Sequence, residues 1–430
     1  METTAIFVLL GTFFGLIALG CHISYSMIAA SIVTFFVLDI APYTVISSLA
    51  SGISSFTFLA IPFFIFSGEI MSHGGISNRL IKLADACVGW MRGGLAMVNI
   101  FASVLFGAIS GSAAADTASL GSILIPMMEK QGYDKEFSTA VTMSSSVEGM
   151  LIPPSHNMII YAMAAGGLSV SALFMAGIGP GLLLALVLMV YSYYLAVKRK
   201  YPKGTKFSIK YLVKTLFESI WGAGTIIIVV GGVVSGFFTA TESAAIACIY
   251  SILVSTLIYK EMKFRDILPV MKKSIKVLSA ILILIAASGP FGFCISYLSI
   301  PEMIVNGLLS VTSNKFLLLL IINGMILVLG TILGMASIIV IVTPILVPVL
   351  QAIDVSLVQF GVILILNCGI GLITPPVGSV LFIGSGVSGI PIEKLVKHTL
   401  PMIGFMVIVL ALVTYVPSIS LGIPKLMGLI

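Results

Sequence analysis

The sequence predicts an all-α polytopic membrane protein made of inverted repeats, with two re-entrant helical hairpins and two unwound transmembrane helices. Three observations predict it. Hydrophobic residues make up 59% of the 430 and charged residues 9%, with mean hydropathy +1.19. Two broken-helix units stand about 222 positions apart. Lysine and arginine collect on one side of the resulting crossing count.

Composition sets the solvent. Soluble domains carry roughly 25% charged residues, and exposed apolar area costs about 25 cal/mol per Å², so most of this chain meets lipid. One membrane domain suffices for the length. The first apolar stretch, Ala5 to Leu19, lacks a basic leader and a small-residue cleavage site, and is expected to stay as a helix. The five cysteines (Cys21, Cys87, Cys248, Cys294, Cys368) are scattered and odd in number, and they mark neither a disulfide framework nor a metal site. The net charge of +6 matters through its placement, and no nucleic-acid partner is expected.

A spanning helix takes about 20 apolar residues. Full crossings are expected at 5–20, 24–40, 55–72, 136–165, 171–197, 219–238, 241–260, 277–297, 357–387 and 399–417. Stretches 93–128 and 316–351 break near their middles and are expected to be hairpins that leave on the side they entered. Lys198, Arg199, Lys200, Lys203, Lys206 and Lys210 then fix the cytoplasmic side. Counting outward places Arg79, Lys82, Arg92, Lys130, Lys135, the basic residues from Lys260 to Lys276, Lys394 and Lys397 on that side. Lys315 and Lys425 fall opposite, with both termini. Segments 76–90, 208–218 and 264–276 mix charge with helical apolar spacing and are expected to lie in the cytoplasmic interface.

The repeat is legible in its grammar. Gly107-Ala-Ile-Ser110-Gly111-Ser112 precedes Ser144-Ser145-Ser146-Val147-Glu148-Gly149, which runs on to Pro153-Pro154. Gly330-Thr-Ile-Leu-Gly334-Met335 likewise precedes Asn367-Cys368-Gly369-Ile370-Gly371, which runs on to Pro375-Pro376. An odd number of crossings separates the hairpins, so the second copy is inverted. Secondary transporters commonly use this construction, with their sites at the repeat interface. The expected domains are 1–92, scaffold helices and an interfacial arm; 93–197, the first transport repeat; 198–315, central scaffold; and 316–430, the second transport repeat.

Backbone that leaves the helix inside a bilayer must find partners. The paired prolines block helix continuation, and the freed carbonyls with Ser, Thr and Asn oxygens are hard ligands suited to Na⁺. Each tip is expected beside its own break. That groups Ser110, Gly111 and Ser112 with Ser145, Ser146 and Gly149, and Gly330 and Gly334 with Asn367, Gly369 and Thr374. The competing explanation is that these small residues only allow close helix packing. Half-helix N-termini, positive by about half a charge, suit an anion.

Ionisable groups inside the membrane are functional candidates. Asp116 follows the first tip and Glu148 lies in the break, whereas Glu242 in Thr239-Ala-Thr-Glu242 fits a first-turn helix cap. Glu69 and His73 lie near the cytoplasmic end of a crossing, and His156 just after the first Pro-Pro pair. No Lys or Arg is expected in the membrane core.

The run from Phe106 to Ser155, with Ser110-Gly111-Ser112, Gly121, Ile125-Pro126, Gly132-Tyr133 and Ile152-Pro153-Pro154-Ser155, resembles the large membrane subunit of the TRAP transporters. So do Pro62-Phe63-Phe64 with Gly68, Thr239-Ala-Thr-Glu242, and Ile373-Thr374-Pro375-Pro376-Val377-Gly378. The resemblance spans nearly the whole chain. It implies a multi-pass protein of the bacterial inner membrane and a sodium-coupled importer of organic acids. C4-dicarboxylates, sialic acid and other sugar acids all suit the family. It also implies a separate small membrane subunit, a periplasmic solute-binding protein, two or more co-transported Na⁺ and an elevator motion. Ser112, Asp116, Pro154, Ser155 and Pro376 are the candidates for contacting the organic acid. Many members carry an acid near the second tip, where this chain has Gly334-Met335. An ion channel, a binding-protein-independent carboxylate transporter and an intramembrane serine protease are the competing classes. No TVGYG-like filter and no histidine near Ser110 in sequence favour the last or the first of these.

Overall fold

The computed structural model describes residues 2–204, 206–312 and 314–430. Among the described residues every regular element is helical, and β pairing is confined to one isolated bridge between Arg92 and Lys203. In chain order the helices begin with α1 (Glu2–Ala18), α2 (Ile23–Val37), α3 (Tyr43–Ile53) and α4 (Phe56–His73). Next come α5 (Ile76–Val88), α6 (Gly94–Ser110), α7 (Ala113–Lys130), α8 (Lys135–Ser146), α9 (His156–Ala164) and α10 (Val170–Lys198). The middle of the chain forms α11 (Ile209–Val234), α12 (Ala240–Ile258) and α13 (Phe264–Tyr297). After it follow α14 (Ile300–Val311), α15 (Lys315–Ile332), α16 (Met335–Ala352), α17 (Leu357–Leu372), α18 (Ser379–Ser388), α19 (Ile392–Tyr415) and α20 (Ser418–Leu426).

Eight helices among the described residues are long and apolar enough to cross a bilayer: α4, α10, α11, α12, α13, α15, α16 and α19. The chain is a multi-pass membrane protein. The crossings expected at 5–20 and 24–40 appear as the shorter apolar helices α1 and α2. Those expected at 136–165 and 357–387 are each split in two, as α8 with α9 and α17 with α18. Outer helices show lipid faces at helical spacing, as Leu182, Leu186 and Val190 do on α10 and Leu317, Leu320 and Val328 on α15.

The structure extends the repeat. The starts of α14 to α19 follow those of α5 to α10 by 221 to 224 residues, element by element. Helix α14, the counterpart of α5, lies outside the sequence expectation because it is short and carries Glu302 as its one charged residue. Helices α3 and α20 escaped for the same reason: short, apolar and bounded by proline. Segments 208–218 and 264–276 are not separate interfacial helices. They run on without a break into α11 and α13, because neither Gly nor Pro stands at 218–219 or 276–277 and Ser219 donates its hydroxyl to the Arg79 carbonyl at 3.1 Å instead of capping a new helix.

The two split elements occupy the centre. Every residue of α17 from Val358 to Leu372 is buried, and so is every residue of α8 from Phe137 to Ser146. Helix α8 carries Ser138, Thr139, Thr142 and three consecutive serines, a composition lipid would not accept, and α6, α7 and α19 shield it.

Candidate functional site

Helices α6 and α7 form a helical hairpin, packed together and joined by the link Gly111-Ser112. Gly111 closes α6 in the left-handed region at φ 59°, where a Cβ is disfavoured. Ser112 caps α7 by accepting from the Ala115 amide at 3.3 Å. In the second copy α15 and α16 are joined by Leu333-Gly334.

Each hairpin meets its break through bare backbone. A Cβ on Gly107 would collide with the Gly149 Cα, and one on Gly371 would lie 2.6 Å from the Gly330 Cα. These two pairs are repeat counterparts. Beyond the breaks, Pro153-Pro154 and Pro375-Pro376 both have cis bonds. The Thr331 carbonyl accepts from the Val377 and Gly378 amides at 3.2 and 3.1 Å, tying the second hairpin to its post-proline turn. At the first tip, the Cβ position of Gly111 looks onto the Pro154 carbonyl at 3.0 Å, with Ser155 and His156 behind it.

Above the first contact lies a polar pocket of side chains. Ser103 Oγ donates to Asp116 Oδ1 at 3.2 Å and stands 2.9 Å from Ser145 Oγ. Asn99 donates to Thr142 Oγ1 at 2.7 Å. Asp116 Oδ2, both Glu148 carboxyl oxygens and the Ser144 hydroxyl are buried with no partner among the described residues. The Cβ position of Gly149 is 3.6 Å from Asp116 Oδ2. In the second copy Asn367 donates to Asn323 Oδ1 and to the Asn323 carbonyl, both at 2.9 Å, and its own Oδ1 has no partner. Ser146 and Thr374 turn their hydroxyls onto their own helices, to Met143 O at 2.8 Å and Ile370 O at 2.6 Å. Gly369 packs away from the second hairpin, against Val147 and Met150 of the first break, where the two split helices cross.

The two tips converge on a cavity of about 270 Å³. Four helices begin at its wall: α7 with Ala113 and Ala114, α16 with Met335, Ala336 and Ser337, α9 with His156 and Asn157, and α18 with Ser379 and Val380. The first amides of each helix have no intrahelical acceptor, so the cavity is ringed by unspent N–H groups and positive dipole ends. No Lys or Arg lines it. Four such N-termini around one volume favour an anion without a formal charge.

Of the sequence candidates, Ser112, His156 and Gly334 line this cavity. Asp116 does not; it points to Ser103 and Gly149. Pro154 and Ser155 stand behind the first tip, and Pro376 lies in the turn before α18. Ser110 Oγ accepts from the Ser112 amide at 3.4 Å. Outside the sequence candidates stand His22, Asn157, Ser337 and Ser379 on the cavity wall, and Asn99 and Ser103 behind it. The last two were findable: Asn99, Ser103, Gly107 and Gly111 recur every fourth residue, one polar and small stripe along α6. Glu242 is a cap, with Thr239 and Glu242 completing a capping box at the start of α12.

Residues 10–419 match the family described as "Tripartite ATP-independent periplasmic transporter, DctM component". The uncharacterized protein YgiK of Salmonella typhimurium is 39% identical over 98% of this chain and 97% of its own. The C4-dicarboxylate TRAP transporter large permease protein DctM of Pseudomonas aeruginosa is 38% identical over 87% of each chain. The sialic acid TRAP transporter large permease protein SiaM of Vibrio cholerae is 35% identical over 96% of each. Among solved structures, the YdaH transporter of Alcanivorax borkumensis superimposes with a TM-score of 0.64 over 89% of each chain at 15% identity, a likeness of fold.

Proposed function

The chain belongs to the DctM component family of the tripartite ATP-independent periplasmic transporters, a family of transport subunits and not of enzymes, and from that premise we propose that it is the large permease of a sodium-coupled importer of an organic acid. The observation that carries the proposal is the cavity between the tips, where four helix N-termini face one small volume lined by no Lys or Arg. A carboxylate there takes its hydrogen bonds from amides and from Ser112, Asn157, Ser337 and Ser379, and a co-bound cation supplies the missing positive charge. C4-dicarboxylates and sialic acid, the substrates in the names of two relatives, are both acids of this kind.

The sodium ions belong in the two hairpin-and-break junctions. In the first, the ligands we assign are Ser110, Gly111, Ser145, Ser146 and Gly149; Asp116 and Glu148 keep unpartnered buried oxygens there, with Asp116 Oδ2 3.6 Å from the Cβ position of Gly149. A buried carboxylate without a donor or a cation is costly, and a bound Na⁺ offsets that cost. Asp116 therefore serves the cation more than the substrate. In the second, Gly330, Gly334, Asn367 and Thr374 offer carbonyls and amide oxygens without a carboxylate, which makes it the weaker site; Gly369, expected among these ligands, faces the first break instead. Ala280, four residues beyond Lys276 on α13, borders the cavity, and so does His22 in the turn between α1 and α2, which the crossing count puts on the same side; both support an inward-open state of an elevator. The family implies a location in the bacterial inner membrane, a small membrane subunit and a periplasmic binding protein as partners.

The test is uptake into proteoliposomes that hold this chain, its small subunit and a cognate binding protein. A sodium gradient should drive accumulation, and uptake indifferent to sodium overturns the coupling. Ser145→Ala and Asn367→Ala should each raise the sodium concentration needed for half-maximal uptake. Unchanged sodium dependence in both rejects the assignment of the two junctions.

A further inference from the structure

A second cavity, about 720 Å³, lies away from the hairpin tips, between α5, α7, the first half of α11 and the turn after α12. It has charges of both signs: Arg79 and Lys82 on α5, Glu218 on α11 and Glu261 after α12. Its floor is apolar, with Ile123 and Met127 of α7, and Trp221 stands at its rim.

The wall is built. Arg79 donates to Glu261 Oε1 at 2.6 Å and to the Gly75 carbonyl at 2.8 Å, and its guanidinium lies 3.7 Å over the Tyr259 ring. Tyr259 in turn donates to the Glu218 carbonyl at 2.9 Å and accepts from the Gly222 amide at 3.1 Å. Lys82 has no ion pair among the described residues, and Glu218 meets Lys214 at 3.8 Å. An aromatic rim, basic and acidic groups and an apolar floor together describe the boundary between headgroup and acyl chain.

We propose that this cavity binds the headgroup of a zwitterionic phospholipid bearing a primary ammonium, that is, of phosphatidylethanolamine chemistry. The phosphate lies between Lys82 and the outer edge of Arg79. The ammonium faces Glu218 and Glu261, and the first acyl carbons run along Ile123, Met127 and Trp221. The paired signs choose this occupant. An anionic glycerol headgroup brings no cation to Glu218, whose pairing with Lys214 is long at 3.8 Å, or to the Glu261 oxygen that Arg79 does not hold, and a trimethylated ammonium cannot donate to either. A soluble anion makes no use of the apolar floor.

The test titrates the delipidated full chain in detergent micelles with short-chain phosphatidylethanolamine, phosphatidylcholine or phosphatidylglycerol, and counts bound lipid by native mass spectrometry. Phosphatidylethanolamine should bind roughly tenfold tighter than phosphatidylcholine. Glu218→Gln, which leaves the Arg79–Glu261 pair intact, should shrink that ratio, and Glu218→Gln with Glu261→Gln should remove it. Lys82→Ala should weaken both lipids. Equal binding of the two by the native chain, a preference for phosphatidylglycerol, or a ratio that survives the double substitution each overturns the proposal. So does inorganic phosphate that displaces the lipid at equal concentration.

Discussion

At the scale of single residues, four glycines carry the geometry. Gly107 with Gly149 and Gly330 with Gly371 bring hairpin and break into backbone contact, and any side chain there pushes them apart. Gly371→Ala places a Cβ 2.5 Å from the Gly330 carbonyl carbon. We expect it to cost about 1–3 kcal/mol of stability, as overpacking does, seen as a lowered Tm of the purified protein. Gly334→Ala is the control, since nothing lies within 4 Å of its Cβ position. It should change stability by no more than about 0.5 kcal/mol. Equal losses in both variants would show that glycine flexibility, not close approach, matters. The glycines and the paired prolines were legible in the sequence because backbone constraints leave a fixed residue type. Asn323 was not legible, because a lone polar residue on an apolar helix acquires meaning only from what it faces, whereas Asn99 and Ser103 share a stripe with Gly107 and Gly111 that marks them.

At the scale of elements, the two links between the central helices and the first repeat clasp each other. The link after α10 lies on the link before α6: the Gly93 amide donates to the Pro202 carbonyl at 3.0 Å, and the Gly204 amide to Met91 O at 3.3 Å. Tyr201 anchors the clasp, stacking on Tyr133 with centroids 4.4 Å apart and donating to Asp134 Oδ2 at 2.6 Å. That bond first, and the Arg199 guanidinium after it, hold the Asp134 carboxyl below its usual range. A depressed carboxyl stabilises the fold above its unfolded value of about 3.9, and the contribution is lost as pH falls through the lower folded value. Tyr201→Phe keeps the ring and removes the bond. It should melt below the native protein at pH 7, and the gap should close as the pH approaches 3. The effect is modest, since the Asp134 side chain is half exposed. A gap that does not change with pH would assign the loss to packing. The clasp joins residues more than a hundred positions apart, and no local pattern announces such a pairing.

At the scale of the whole molecule, the inverted repeat and the placement of charge are one statement. Helices α3 and α14 have 11 and 12 residues, roughly 16 and 18 Å at 1.5 Å per residue, too short for a hydrocarbon core of about 30 Å. Neither alters the expected parity of crossings between the hairpins, which puts α14 on the face opposite its counterpart α5. Charge agrees: α5 carries Arg79 and Lys82, and α14 has no basic residue. With the five native cysteines replaced, Lys200→Cys should react with a membrane-impermeant maleimide only in inside-out vesicles. Lys425→Cys should react only when the outer face of the membrane is exposed. Labelling of both from the same face would mean an even number of crossings between them. Helices α15 and α16 would then run on as a single broken crossing, and the two hairpin-and-break junctions would no longer be related by inversion.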